Sequence, residues 1–167
     1  MIINSVTELS ELEDGSVGFL WTPFALQRAE DKAALVEEVK RVLEKAGRWA
    51  FVDVLPASMS GHWLYSHFSD AWENDTGLTW DAFELYNELR GAGFKVELER
   101  TTLQREVARE VAYEMAQQRQ RCPQLAILPD ETYEEGLTAL HKTFESEGSE
   151  GVEVSELTLI ALTADKD

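Results

Sequence analysis

The sequence predicts an α/β protein, with helices packed on a mostly parallel sheet. Three observations lead there. Short apolar runs alternate along the chain with segments of helical period, in the order β, β, α, β, α, β, α, α, β. A length of 167 residues holds one domain with a real core and is too short for two comfortable ones. The content of 44% hydrophobic and 10% aromatic residues is that of a globular chain.

The elements follow in order. "MIINSV" at the start is the first strand candidate, and "SELEDGS" after it reads as an acidic turn. Residues 17–21, "VGFLW", form a short apolar run between Gly15 and Pro23, as a buried strand would. From Ala29 the period changes: Ala33, Val36, Val39, Val42 and Leu43 recur at helical spacing, with Glu37, Glu38, Lys40 and Arg41 opposite. Gly47 supplies a turn, and residues 49–55 read as a strand with β-branched Val52 and Val54, carrying Asp53 near its end.

After Pro56 a loop rich in Ser, Gly and His leads into an aromatic cluster of Trp63, Tyr65, Phe68, Trp72 and Trp80. Thr79 is the expected N-cap of the next helix, with Asp81 in its first turn and Phe83, Tyr86 and Leu89 on one face. "GAGF" stops that helix, and "FKVELER" alternates apolar and charged residues, as a half-exposed strand near a sheet edge does. A long helix over residues 103–121 is then expected, with Val107, Val111 and Met115 as its apolar stripe and Pro123 as its stop. Pro129 and Asp130 open another helix, whose Tyr133, Leu137, Leu140 and Phe144 share a face. An acidic loop, "ESEGSEG", precedes a closing strand from Val152, which has no crossover helix close before it and is therefore free to run antiparallel.

The formal net charge is -17, from 32 acidic and 15 basic residues. Nucleic acid and anionic membrane surfaces are accordingly not expected as partners, because each would be repelled. One cysteine, Cys122, excludes an internal disulfide and a cysteine-cluster metal site. The first residues lack a basic and apolar leader pattern, and the apolar runs are far short of a membrane span, so a cytoplasmic protein is expected.

The stretch "LEDGSVGFLWTPFALQRAEDKAALVEEVKRVLEKAGRWAFVDVLP" resembles class I S-adenosylmethionine-dependent methyltransferases from their fourth strand onward. "WDAFELYNELRGAGFKVELERTTLQ" is similar to their next helix and the turn into the sixth strand. "ILPDETYEEGLTALHKTF" and "ELTLIALTA" resemble the cap helix and seventh strand of small-molecule, quinone-biosynthesis-like members. The resemblance implies a partial Rossmann-like methyltransferase sheet, with strands equivalent to 4-5-7-6 and the last one antiparallel. It also implies a single partial domain over residues 1–167, with a cap-like helical insertion at residues 104–147.

The departures are as informative. The family holds its cofactor with a Gly-rich loop after the first strand and an acidic residue after the second. No G-x-G precedes "VGFLWT" here, "KPGG" has become Lys45, Ala46, Gly47, and the usual Asp of the fourth strand is Gly18. The chain matches only the carboxyl-terminal half of the family pattern. S-adenosylmethionine is therefore expected to bind only if a partner completes the site.

The resemblance places Thr22, Phe24, Gln27 and Asp53 as partial cofactor-side candidates, and Trp21, His62, Trp63 and Tyr65 as candidates for substrate or partner. The plainer alternative makes Trp21 and Phe24 core aromatics, Asp53 a structural or solvated carboxylate and His62 a surface loop residue. His62, His67 and His141 lack zinc-like spacing, so no metal is expected. Without the first three strands of the family sheet, "VGFLWT" becomes an apolar edge that needs cover. The expectation is a non-catalytic module that dimerises or binds a partner. The alternatives are the substrate-side subunit of a split methyltransferase, or the product of a truncated reading frame with no function of its own.

Overall fold

The computed structural model describes residues 6–24, 29, 31–79, 81–148 and 151–167. Most of the expected "MIINSV" strand, together with Gln27 and Trp80, lies outside them, and Val6–Glu11 forms a 3-10 helix. The chain divides into two compact units. One comprises Met1–Leu55, Thr79–Thr101 and Leu159–Asp167, and the other Pro56–Leu78 and Thr102–Thr158.

Four strands form one sheet: β1 (Val17–Pro23), β2 (Leu43–Val54), β3 (Phe94–Ala108) and β4 (Val152–Lys166), in the order β1-β2-β4-β3. β1 runs parallel to β2, with Phe19 opposite Arg48 and Pro23 opposite Val52. β4 runs antiparallel to β2, with Arg48 opposite Asp165 and Val54 opposite Leu159. This is the expected 4-5-7-6 order with an antiparallel last strand.

In the first unit, helices α1 (Lys32–Val42) and α4 (Ala82–Gly91) cover one face of the sheet. Leu35, Val36, Val39 and Val42 of α1 and Leu85 and Leu89 of α4 join Trp49, Phe51, Ile160 and Leu162 in one core. Full burial of such side chains contributes about 1.5–3 kcal/mol each over exposure. Asp31, whose side chain accepts from the Ala34 amide at 2.9 Å, caps α1, so the helix starts just after the expected Ala29.

The expected cap of α4 needs correction in the same way. Asp81, not Thr79, accepts from the amides of Phe83 at 2.8 Å and Glu84 at 3.2 Å. The Thr79 carbonyl instead accepts from Lys32 Nζ at 3.2 Å.

β2 begins directly after α1, so the expected turn at Gly47 is corrected: Ala46 and Gly47 lie inside the strand, where its register with β1 shifts, and both are unusual. Ala46 lies in the left-handed region at φ 61, where a Cβ is strained. Gly47 admits no Cβ, which would stand 2.9 Å from the Glu44 carbonyl oxygen and 3.1 Å from that of Val17. The chain therefore passes closely behind β1, and the β1–β2 register shifts there.

The second unit holds α2 (Trp63–His67), α3 (Ser69–Leu78), α5 (Arg109–Gln117), α6 (Pro123–Ala126) and α7 (Asp130–Glu147) around Trp63, Phe68, Ala112, Ala116, Leu125, Tyr133 and Leu140. The expected long helix over 103–121 is corrected, because β3 continues to Ala108 and α5 is short. Thr102 and Thr158 share a hydroxyl hydrogen bond at 3.0 Å, and Gln104 donates to Glu156 at 2.5 Å. Residue numbers rise along β3 as they fall along β4, so this ribbon is antiparallel. Its tertiary pairing overrides the helical pattern read from the sequence.

The apolar stripe is corrected too. Val111 is 45% and Met115 50% exposed, whereas Ala112 and Ala116 are buried. The small residues let α7 come close, and Tyr133 donates its hydroxyl proton to the Ala116 carbonyl at 3.1 Å. Pro123 does not stop that helix. It opens α6, where a missing N–H costs nothing. The expected α7 face holds, with Tyr133 and Leu140 buried.

Candidate functional site

The sequence-derived candidates fall into two groups, one in each unit. In the first, Trp21, Thr22 and Phe24 follow one another at the carboxyl end of β1, and Asp53 stands at the carboxyl end of β2. These are the ends at which open α/β sheets receive ligands.

Two of these side chains are engaged inside the fold. Thr22 Oγ1 accepts the Trp49 indole N–H at 2.9 Å, which ties β1 to the most buried aromatic of β2. Asp53 is 3% exposed, and its Oδ1 accepts the Val54 amide at 2.8 Å. The aromatic pair is the reverse. Trp21 is 52% and Phe24 48% exposed, which corrects the alternative that made them core residues. Phe24 has φ 51, in the left-handed region that a bulky residue seldom occupies, and its amide donates to the Val52 carbonyl at 2.8 Å.

In the second unit, His62, Trp63 and Tyr65 do come together. His62 Nδ1 accepts the Leu64 amide at 3.1 Å and so caps α2, while its Nε2 lies 3.4 Å from Ser155 Oγ. With Nδ1 accepting, neutral His62 carries its proton on Nε2 and faces Ser155 as a donor. That arrangement does not activate Ser155 as a nucleophile. Burial lowers the His62 pKa first, Glu156 opposes this, and Arg105 adds to the lowering.

The His62 ring packs on Trp63 at 5.8 Å and Tyr65 at 5.6 Å between centroids. Trp63 is 3% exposed and belongs to the core of the unit. Tyr65 donates to Asp75 Oδ2 at 2.6 Å, and burial followed by that carboxylate pushes its phenol well up. Burial also raises the Cys122 thiol, which makes it a poor nucleophile at neutral pH.

The sequence reading missed a buried ion pair in this unit. Arg109, 5% exposed, donates through Nε to Glu153 Oε1 at 2.8 Å and through a terminal nitrogen to the Gly148 carbonyl at 3.1 Å. His67 Nε2 lies 3.4 Å from the other Glu153 oxygen. Arg109 opens a helix and Glu153 sits in an alternating strand, both ordinary places for exposed charge, so no sequence signal marks the pair. Among the described residues no group of three or more His, Cys, Asp or Glu side chains could hold a metal ion. No described helix is long and apolar enough to cross a membrane.

No protein-family model and no curated protein matches the chain. Solved structures do match in fold. A protein assigned as a methyltransferase of an antibiotic biosynthesis pathway in Anabaena variabilis is 19% identical, with a TM-score of 0.67 over 90% of this chain and 68% of its own. A protein of Bacillus halodurans assigned as a methyltransferase is 18% identical, with a TM-score of 0.56 over 93% of this chain and 72% of its own. The YcgJ protein of Bacillus subtilis is 16% identical, with a TM-score of 0.57 over 93% of this chain and 66% of its own. The chain thus has part of a class I methyltransferase fold, and about a third of the length of these structures has no counterpart in it.

Proposed function

We propose that this chain is a methyltransferase-like module that binds a partner chain and does not capture S-adenosylmethionine by itself. The observation that supports this reading is the state of β1. Its resemblance is to the central strand of the family sheet, yet among the described residues it is a sheet edge with Phe19, Trp21 and Phe24 exposed beside it. Thr22 and Asp53, at the ligand-side ends of their strands, already hold partners within the fold. Three exposed aromatics along this edge suit a protein surface better than a small polar ligand.

The test is titration calorimetry of S-adenosylmethionine into the purified chain, with no heat of binding expected. Micromolar affinity would sink the reading. A second reading, the substrate-side subunit of a split methyltransferase, draws on the left-handed Phe24 at the ligand end of the sheet, since strained backbone gathers at functional sites. Under that reading, adding a chain that carries the strand, G-x-G turn, helix, strand and acidic residue restores S-adenosylmethionine binding. If the completed pair still gives no heat, the second reading falls.

A further inference from the structure

We infer that a second copy of this chain pairs with the outer edge of β1, strand against strand and antiparallel, so that two sheets join into one. The inference rests on the partner-binding reading above and names the partner. It starts from the direction of the backbone groups. Phe24 donates inward to Val52, so by alternation along a parallel ladder Thr22 and Leu20 also turn their N–H and C=O groups to β2. Phe19, Trp21 and Pro23 turn theirs outward. The residue without an N–H thus stands where an edge tolerates it, and Phe19 and Trp21 present intact donors and acceptors.

That edge is complementary to itself. A two-fold axis through Leu20 sets Phe19 opposite the partner's Trp21 and Trp21 opposite the partner's Phe19. Both pairs are outward-facing, so each exchanges two backbone hydrogen bonds and stacks two exposed aromatic side chains across strands. Charge points to the same occupant. On a chain of net charge -17, residues 16–24 carry no charge at all. The nearest charged pair on that face, Arg48 and Asp165, neutralises itself at 2.6 Å. The acidic side chain nearest the strand is Glu44, whose carboxylate lies against Gly18. In the paired arrangement Gly18 of one copy stands four residues along from Gly18 of the other, roughly 13 Å at about 3.3 Å per residue, and charges beyond about 8 Å are screened at physiological salt.

Sedimentation of the whole chain tests the inference, with amide hydrogen exchange on the same samples. A dimer is expected whose Phe19 and Trp21 amides become protected as concentration rises, while the inward Leu20 amide stays protected throughout. Phe19→Lys with Trp21→Lys should weaken self-association by about 30-fold or more, the size of an interface hot spot. Leu103→Lys on β3 should leave it unchanged. A monomer from micromolar to sub-millimolar concentration overturns the inference. So does a dimer whose Phe19 and Trp21 amides exchange freely, or a monomer in which they are protected, since the chain's own first residues then cover the edge. Each of these outcomes is independent of the calorimetric result with S-adenosylmethionine, so the failures of the two readings are distinguishable.

Discussion

The two edges of the sheet solve the same problem in opposite ways. β3 begins "FKVELER", and its outward-leaning Lys95, Glu97, Glu99 and Arg100 are exposed while Phe94 and Val96 are buried. Charges on an edge repel a stray strand, so this edge is protected as it stands. β1 reads "VGFLWTP", with Leu20 buried and Phe19 and Trp21 exposed, and has no charge to offer. The proposed pairing falls on the edge that carries no charge to oppose it.

The largest test of that contrast is Trp49→Ala. Trp49 is fully buried on β2 and holds β1 through the Thr22 hydroxyl, so its loss should cost about 3–5 kcal/mol in urea unfolding. Hydrogen exchange should then show β1 opening before β3. If both edges open together, β1 is not the weaker one.

Gly47→Ala comes next. The new Cβ meets the backbone of Glu44 and Val17, which cannot step aside cheaply, and a loss of about 1–3 kcal/mol is expected. Thermal unfolding checks it, and an unchanged midpoint would mean that this part of β2 relaxes freely. Ala46→Gly should act in the other direction, because the left-handed backbone costs a residue with a Cβ about 1–2 kcal/mol. A midpoint raised by a few degrees is expected, and a lowered one would contradict the strain.

The smallest effect concerns pH on the face beside Phe19. The Arg48 guanidinium holds the Asp165 carboxyl below its ordinary value, chiefly by hydrogen bonding. A carboxylate with a lowered folded pKa contributes stability above its unfolded value and loses it as pH falls through the folded one. Arg48→Met should therefore be slightly less stable than the parent at neutral pH, by no more than the small value of a surface pair, and the two stabilities should converge as pH falls through the folded value. Stabilities that coincide at neutral pH as well would show that this pair does not matter.

Much of the architecture is legible from local pattern. The helical spacing of Val36, Val39 and Val42 and the alternation of "FKVELER" each encode an element without help from distant residues. Other features are not encoded locally. Residues 103–108 carry a pattern that continues smoothly into α5, and only pairing with β4 makes them strand. Val111 and Met115 look like a core stripe, but Ala112 and Ala116 win the buried side because α7 needs room to approach. The site candidates divide similarly. The positions of Trp21, Thr22, Phe24 and Asp53 at strand ends follow from the sequence, while the Thr22–Trp49 bond, the His62 cap and the Arg109–Glu153 pair bring together residues far apart or ordinary in pattern.

By itself, then, the sequence determined the order β1, α1, β2, α4, β3, α7 and β4, the acidic composition and the uncharged run of β1, because each rests on neighbours a few residues apart. α2 and α3, by contrast, stand where the sequence reads as a loop followed by an aromatic cluster. The tertiary structure alone decided which side of β1 faces water, which hydroxyls and carboxylates are already taken, and how far β3 extends. Those outcomes depend on competition between distant segments for the same backbone groups and the same buried volume, and no short stretch of sequence contains both competitors.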